Sequence, residues 1–326
     1  MYKTAYHKKD LSKLSFLVTG GAGFIGSNLV EYLLKYGAGK VKVLDNFSTG
    51  FQSNINEFMT NPSFELIEGD IRNYETCKKA VEGTNYISHQ AALGSVPRSV
   101  DDPITNNEVN ITGFLNMLCA AKESPVARRF VYAASSSTYG DNTESAKVED
   151  SIGKPLSPYA ITKYVNELYA DLFGNLYGTK AIGLRYFNVF GPRQSPEGEY
   201  AAVVPLFLEA VKNNFQPVIH GDGEQTRDFT FVENAVQANI KAFFVEDDQA
   251  VNQVYNIACG EKASLNELLS KINYYSGKDI TAVHEESRAG DIKNSMADIL
   301  KATKLLDYQP LFSFEDGIKI MTKTNL

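Results

Sequence analysis

Short apolar runs alternate with longer stretches of helical periodicity from Ser15 to Arg185 of this 326-residue chain. The runs are Ser15–Thr19, Val41–Asp45, Phe64–Glu68, Tyr86–His89, Arg129–Ala134 and Ala181–Arg185. Apolar runs of strand length belong to strands buried on both faces, which need helices above and below the sheet. The stretches Phe24–Tyr36, Asn107–Lys122 and Tyr159–Tyr177 supply such helices. Strands joined by crossover helices run parallel, so the pattern predicts an α/β fold built on a doubly wound, Rossmann-like parallel sheet. Beyond Phe187 the rhythm loosens around Gly191-Pro192, Ser195-Pro196 and Gly221-Asp222-Gly223, with helical patterns at Pro205–Asn213, Val232–Val245 and Ser264–Tyr274. A second, smaller α/β domain is expected there. Residues 1–187 plus about 229–260 form the first domain, and about 188–228 plus 261–326 the second.

Composition narrows the function classes. The net charge is −7 and no basic run occurs, which argues against nucleic acid and anionic membranes as partners. The segment Met1–Lys13 is polar and lysine-bearing, unlike a signal peptide, and no apolar stretch reaches membrane-helix length. A soluble, cytoplasmic protein is expected. Cys77, Cys119 and Cys259 share no metal-ligand spacing and read as buried free thiols in a reducing compartment, so no metal site is expected. The polar arm before the first strand has no role legible in sequence.

The strand Ser15–Thr19 runs directly into Gly20-Gly21-Ala22-Gly23-Phe24-Ile25-Gly26 and an amphipathic helix. Two registers fit, Gly21-x-Gly23-x-x-Gly26 and Gly20-x-x-Gly23-x-x-Gly26. In either, a turn without side chains lets the backbone approach a pyrophosphate resting on the helix N-terminus. Gly20, Gly23, Phe24, Ile25 and Gly26 are therefore cofactor candidates. Asp45, followed by Asn46, ends the second strand at the distance where a carboxylate accepts from ribose hydroxyls and repels a 2′-phosphate. That favours NAD over NADP. Asp70 and Ile71, in Gly69-Asp70-Ile71, end the third strand; Asp70 reads equally as an adenine contact or a helix cap. Gln90, Ala91 and Ala92 end the fourth, where small residues admit a cofactor, and the adjoining His89 reads as structural.

The fifth strand ends in Ser135-Ser136-Ser137-Thr138, and Pro158-Tyr159-Ala160-Ile161-Thr162-Lys163 opens a later helix. Tyr159 and Lys163, one turn apart, share a helix face. An ammonium about 4 to 6 Å from the phenol would contribute roughly 3–4 kcal/mol, enough to bring a tyrosine from about 10 down to roughly 7–8. The phenol then becomes a usable base.

With these motifs the chain resembles the extended short-chain dehydrogenase/reductase family over nearly its whole length. The resemblance continues in Arg185-Tyr186-Phe187-Asn188, Phe190-Gly191-Pro192-Arg193, Thr226-Arg227-Asp228-Phe229 and Arg288-Ala289-Gly290-Asp291. It implies tightly held NAD, a nucleotide-sugar substrate gripped by the second domain, and a homodimer through helices flanking the sheet. It also implies Ser135 as catalytic serine, Tyr159 as base and Lys163 as its tuner, with Asn110 and Tyr186 on the cofactor side. Arg227 and Arg288 match diphosphate positions, Asn188 lies near the diphosphate, and Asp291 matches a ribose position. His220 is a further candidate, to pack near uracil, against the competing reading of an ordinary loop ring. Because the chain has Ala133-Ala134-Ser135 where the family usually has serines, Ser136 and Ser137 are candidates to share substrate alignment.

Within the family, dehydratases and decarboxylases place carboxylates just after the strand-five serine or threonine. This chain has Ser136-Ser137-Thr138, which cannot serve as that acid or base. The resemblance therefore points to UDP-hexose 4-epimerases, which oxidise and re-reduce C4. Ser295 stands where strict UDP-glucose epimerases carry a tyrosine, and Ala202, beside Val203, stands where they carry an asparagine. Gly94 replaces a lysine of some relatives. The enlarged pocket implies UDP-GlcNAc/UDP-GalNAc interconversion. UDP-glucose/UDP-galactose and 6-carboxylated N-acetyl sugars are the alternatives within the class; a catalytically silent NAD-binding regulatory module is the alternative outside it.

Overall fold

The structure, a computed structural model, describes residues 1–197, 201–286 and 294–325. Six strands fall where the apolar runs place them: β1 (Ser15–Thr19), β2 (Lys40–Asp45), β3 (Phe64–Glu68), β4 (Tyr86–His89), β5 (Arg129–Ser135) and β6 (Ala181–Tyr186). A seventh strand, Gln253–Ile257, adds to the outer edge of β6. All neighbours run parallel, in the order β3-β2-β1-β4-β5-β6 and then Gln253–Ile257. The strand order reverses between β1 and β4, and a doubly wound sheet opens a ligand crevice at the carboxyl ends beside such a reversal.

Alternate strand residues feed two apolar layers. Phe16 and Val18 of β1 and Val131 of β5 pack with the helices Phe24–Lys35 and Val232–Phe244. Leu17, Phe130 and Tyr132 pack on the other face with Tyr74–Val81, Gly113–Glu123 and Pro158–Tyr177. A separate apolar cluster joins Phe190, Phe207, Ile219, Leu268 and Ile318. Phe229 and Phe231 belong to this cluster, whereas Ala302, Leu306 and Tyr308 pack into the first layer.

The N-terminal arm is part of the core. Tyr2 is fully buried; its N–H donates to Glu233 Oε1 at 2.8 Å and its hydroxyl to Asn28 Oδ1 at 3.1 Å. Tyr6 donates its hydroxyl to the same Glu233 oxygen and stacks on Tyr32. The arm therefore straps the helix after β1 to the helix Val232–Phe244, and it supplies two donors to the buried Glu233 carboxylate.

The helical stretch expected at Asn107–Lys122 is interrupted by a π-helical turn, Glu108–Thr112. Asn110, on that turn, bonds Leu93 with both ends of its amide. Among the described residues, no helix is long and apolar enough to cross a membrane.

Candidate active site

A cleft of about 540 Å³ opens at the carboxyl ends of β1, β2, β4, β5 and β6. Gly20, Gly23, Phe24, Ile25 and Gly26 line its floor. Gly20 has φ +66°, and a Cβ there would sit 2.7 Å from Ala91 N, so only glycine fits. Gly21 instead packs on Val43 and does not line the cleft. The cradle thus uses the Gly20-x-x-Gly23-x-x-Gly26 register. Gly23 caps the helix Phe24–Lys35 without a side-chain bond, leaving the first-turn N–H groups for an anion.

Asp45 lines the cleft but also braces the turn, accepting from Ala22 N and Phe47 N, both at 2.9 Å. Burial raises its pKa, partly offset by these backbone bonds. Asp70 is held by Arg72 in a forked pair and by Asn46 Nδ2 at 3.0 Å. The Arg72 bond holds its carboxyl below the usual range. It caps no helix; Asn73 does that for Tyr74–Val81. Asn46, Asp70, Ile71, Gln90, Ala91 and Ala92 all line the cleft. His89 bonds Thr19 Oγ1 at 2.8 Å and is pushed down to about 3 by burial and then by Lys163, so it stays neutral and structural.

The helix Pro158–Tyr177 carries the reacting side chains. Ser157 caps it, accepting from Ala160 N at 3.1 Å. Pro158 takes the first position, and Gly178, in the left-handed region, ends it. Ser99 Oγ accepts the Tyr159 N–H at 3.0 Å. Two turns on, buried Glu167 forms a forked pair with Arg185 of β6, which fixes the helix to the sheet. Tyr159, Lys163 and Ser135 all face the cleft, with Ser136, Ser137, Tyr186 and Asn188. Ser137 Oγ donates to Ser135 Oγ at 2.9 Å, and Ser135 hydrogen-bonds the Tyr159 phenol. Lys163 Nζ lies 5.9 Å from the Tyr159 ring centroid and donates to Ala133 O at 2.8 Å.

The electrostatics correct one expectation. Lys163 does not bring the phenol down. Burial raises the Tyr159 pKa, and only the Ser135 bond opposes it. The ammonium is itself pushed down to about 8 by burial, with Glu167 partly compensating. Helical spacing predicts a Coulombic attraction, but burial dominates here and penalises both charged forms.

Asn110, expected on the cofactor side, sits deeper than the other candidates. It is 1% exposed and lies behind the cleft, with its amide spent on Leu93 and on Thr162 Oγ1 at 3.1 Å. It anchors the cleft-lining loop to the catalytic helix and does not itself line the cleft. Of the expected substrate residues of the second domain, Ala202, Val203, His220, Arg227 and Ser295 sit on the elements around the cleft. Ala202 caps the helix Val203–Lys212, which Val203 opens. Arg227 sits on a two-residue strand paired with Ala263–Ser264, and donates to Thr226 O at 2.9 Å. Ser295 N bonds Thr226 O at 3.1 Å, so Ser295 and Arg227 share one small patch of backbone pairing. His220 lies on the strand Val218–His220, 3.7 Å from Glu285. Arg288 and Asp291 lie outside the described residues. Asn188 lines the cleft at φ +34°, and its Nδ2 donates to Asp228 O at 3.1 Å.

Sequence reasoning missed the wall after β2, where Ser48, Thr49 and Gly50 line the cleft. Their small polar run, one residue beyond Asp45-Asn46, was the available signal. It also missed buried Asn239, which bonds Tyr186 from below.

A glycine cradle, an acidic strand end and a Ser–Tyr–Lys set in one crevice define a dinucleotide-dependent enzyme of the doubly wound class. Residues 16–258 match the family described as NAD dependent epimerase/dehydratase, and the chain belongs to that family, whose cofactor is NAD. It is 36% identical over 304 residues to a putative UDP-glucose 4-epimerase of Methanocaldococcus jannaschii, covering 93% of this chain and 95% of the relative. Its structure is similar to that of a UDP-N-acetylglucosamine 4-epimerase from Methanobrevibacter ruminantium M1 in complex with UDP-N-acetylmuramic acid. The TM-score there is 0.89 at 36% identity, covering 95% and 97% of the two chains. It is also similar to a UDP-glucose 4-epimerase from Thermotoga maritima with UDP-glucose, with a TM-score of 0.88 at 35% identity and coverage of 95% and 98%.

Proposed function

We propose that this chain is an NAD-dependent 4-epimerase that interconverts UDP-GlcNAc and UDP-GalNAc. One observation carries the choice of epimerisation over dehydration. The turn after β5, Ser136–Tyr139, bears no carboxylate, and among the described residues the acidic ones lining the cleft, Asp45 and Asp70, belong to the ends of β2 and β3. Elimination of water needs an acid and a base beyond the tyrosine at the β5 end, whereas epimerisation at C4 does not.

The glycine turn and the uncapped helix N-terminus would hold the pyrophosphate of NAD, and Asp45 the adenosine ribose. Bound NAD supplies a hydride acceptor that can return the hydride, and its cationic ring favours the phenolate. The chain's own side chains handle the proton. Ser135 Oγ, oriented by Ser137, holds the sugar C4 hydroxyl in line with Tyr159. Tyr159 Oη takes the C4 hydroxyl proton and gives it back to the C4 oxygen once the keto sugar has turned its other face toward the dinucleotide. Lys163, held by Ala133 O, keeps positive charge beside the phenol.

The division into a dinucleotide domain and a nucleotide-sugar domain is supported by the separate apolar cluster around Phe190, Phe207 and Ile318. Arg227, Arg288, Asn188, Asp291 and His220 are proposed to meet the UDP. Ser295, Ala202 and Val203 are proposed to leave room for an N-acetyl group, and Gly94, whose added Cβ would meet nothing within 4 Å, leaves the near wall open. A homodimer is supported by an exposed apolar stripe on the outer face of Pro158–Tyr177. Ile161, Leu168, Leu172 and Leu176 all stand half-exposed there, next to the still more exposed Ile104.

The test is product analysis by NMR after incubation with UDP-GlcNAc or UDP-glucose and no added cofactor. Formation of UDP-GalNAc with the higher kcat/KM supports the reading. Much higher kcat/KM on UDP-glucose defeats the acetylated assignment, and net NADH release defeats epimerisation. Ser295→Tyr should selectively harm the acetylated substrate, and equal losses on both substrates would remove Ser295 as the gate.

A further inference from the structure

The floor of the cleft rests on one buried amide. Asn239, on the helix Val232–Phe244, is fully buried, and its Nδ2 donates to Ala235 O at 2.9 Å. A carbonyl can only accept, so this bond fixes which end of the amide faces which way. The remaining N–H of Nδ2 goes to Tyr186 Oη at 2.7 Å. Oδ1 accepts from Ser88 Oγ at 3.0 Å and from Gln90 Nε2 at 3.2 Å.

The polarity propagates. Tyr186 Oη also receives Gln90 Nε2 at 3.2 Å, so the phenol oxygen accepts twice and its own proton is not spent inside the network. Gln90 Nε2 has two N–H groups and three acceptors in reach, Ser88 Oγ at 2.8 Å and Tyr186 Oη and Asn239 Oδ1 at 3.2 Å each, so one N–H is shared, and Oε1 is left uncommitted. Tyr186 and Gln90 both line the cleft. The network therefore leaves one O–H donor and one amide acceptor unspent on two residues that line the cleft.

We propose that Asn239 is a positioning residue for the cofactor, setting Tyr186 as a donor and Gln90 as an acceptor toward bound NAD. This rests on NAD binding alone and stands apart from the choice of sugar. A cluster of buried groups satisfied in one orientation only is costly to rearrange, which is how a side chain with no access to the ligand can fix the hydrogen-bond pattern the ligand meets.

The test is a double-mutant cycle with Kd for NAD measured by titration of the full chain and Tm recorded alongside. Asn239→Asp carries no N–H: ionised it can only accept from Tyr186, and protonated it has one O–H where Asn239 spends two N–H groups on Ala235 O and Tyr186. The phenol then turns its proton inward, and NAD should bind about ten-fold more weakly. Tyr186→Phe should lose about the same factor, and the double variant should be no weaker than Tyr186→Phe alone. A full further loss in the double variant overturns the proposal, because Asn239 would then act independently of Tyr186. Wild-type NAD affinity in Tyr186→Phe overturns it too, and that variant leaves Asn239 in place should Asn239→Asp not fold. Failure of the sugar reading would appear in the product analysis and leave these affinities untouched.

Discussion

Replacing Lys163 by Met should cut turnover by orders of magnitude while making the fold more stable at neutral pH. The side chain is 3% exposed, and burial lowers the ammonium from 10.5 to about 8. Holding that charge in the folded state therefore costs about 3 kcal/mol below pH 8. Met has nearly the same length and no charge, so the penalty disappears. The substitution also removes the donor to Ala133 O, and an unsatisfied buried carbonyl costs about 1–2 kcal/mol. The balance is a net gain of about 1–2 kcal/mol, or roughly 2 °C or more in Tm.

The sign of the pH dependence follows from linkage. Between about pH 8 and 10.5 the unfolded chain holds a proton on this lysine that the folded chain has released, so this group makes the wild type gain stability as pH rises through that window. Above it the lysine is neutral in both states and the penalty is gone. Lys163→Met lacks this slope, so its advantage should be largest at pH 7 and shrink toward pH 10.5. Thermal unfolding followed by circular dichroism at pH 7, 9 and 10.5, without added dinucleotide, reads both numbers. A Tm below wild type at pH 7, or a gap constant across the three pH values, would refute the reasoning. In parallel, kcat should fall by about 10²–10⁴-fold if the ammonium assists proton transfer.

Three further outcomes follow from groups away from the reacting atoms. Asp228, fully buried and accepting from Cys259, Gly260 and Ala297 N–H groups, is raised to about 7 by burial. A carboxyl raised in the folded state contributes stability below about pH 4 that is lost as pH rises through 7. The Tm difference between Asp228→Asn and wild type should therefore grow from pH 4.5 to 7.5, and a flat difference counts against the shift. Tyr2→Ala should cost about 3–5 kcal/mol by emptying a fully buried aromatic site, with specific activity of the folded fraction retained; urea unfolding with a matched activity assay checks this. Gly20→Ala should purify with little bound NAD, measured by absorbance of the perchloric acid extract, because its Cβ would collide with Ala91.

The parallel core was legible because strands such as Ser15–Thr19 and Arg129–Ser135 bury both faces, and continuous apolar runs leave few other solutions. Gln253–Ile257 escaped that reading because Asn256 breaks its apolar run. The side chain is fully buried, yet it belongs there, since it accepts from Tyr139 Oη and donates to Lys147 O and Asp298 O. A polar residue reads as surface until its partners are known, and these are 42 to 117 positions away.

The same limit explains the site. Gly20, Tyr159 and Lys163 were found because their partners in the argument are local: a turn, or one helical step. Asn110 was placed on the cofactor side by resemblance alone, and a resemblance does not tell which partner its amide takes. It is Leu93 N, at 2.8 Å, that takes it. The phenol was expected near neutral because the Tyr–Lys attraction follows from an i, i+4 step, whereas the opposing desolvation depends on everything packed around Tyr159. Chemistry carried by near neighbours in sequence can be read from a chain alone. Chemistry tuned by burial can be read only once the fold has brought distant residues together, and at this cleft the tuning sets the charge states on which proton transfer depends.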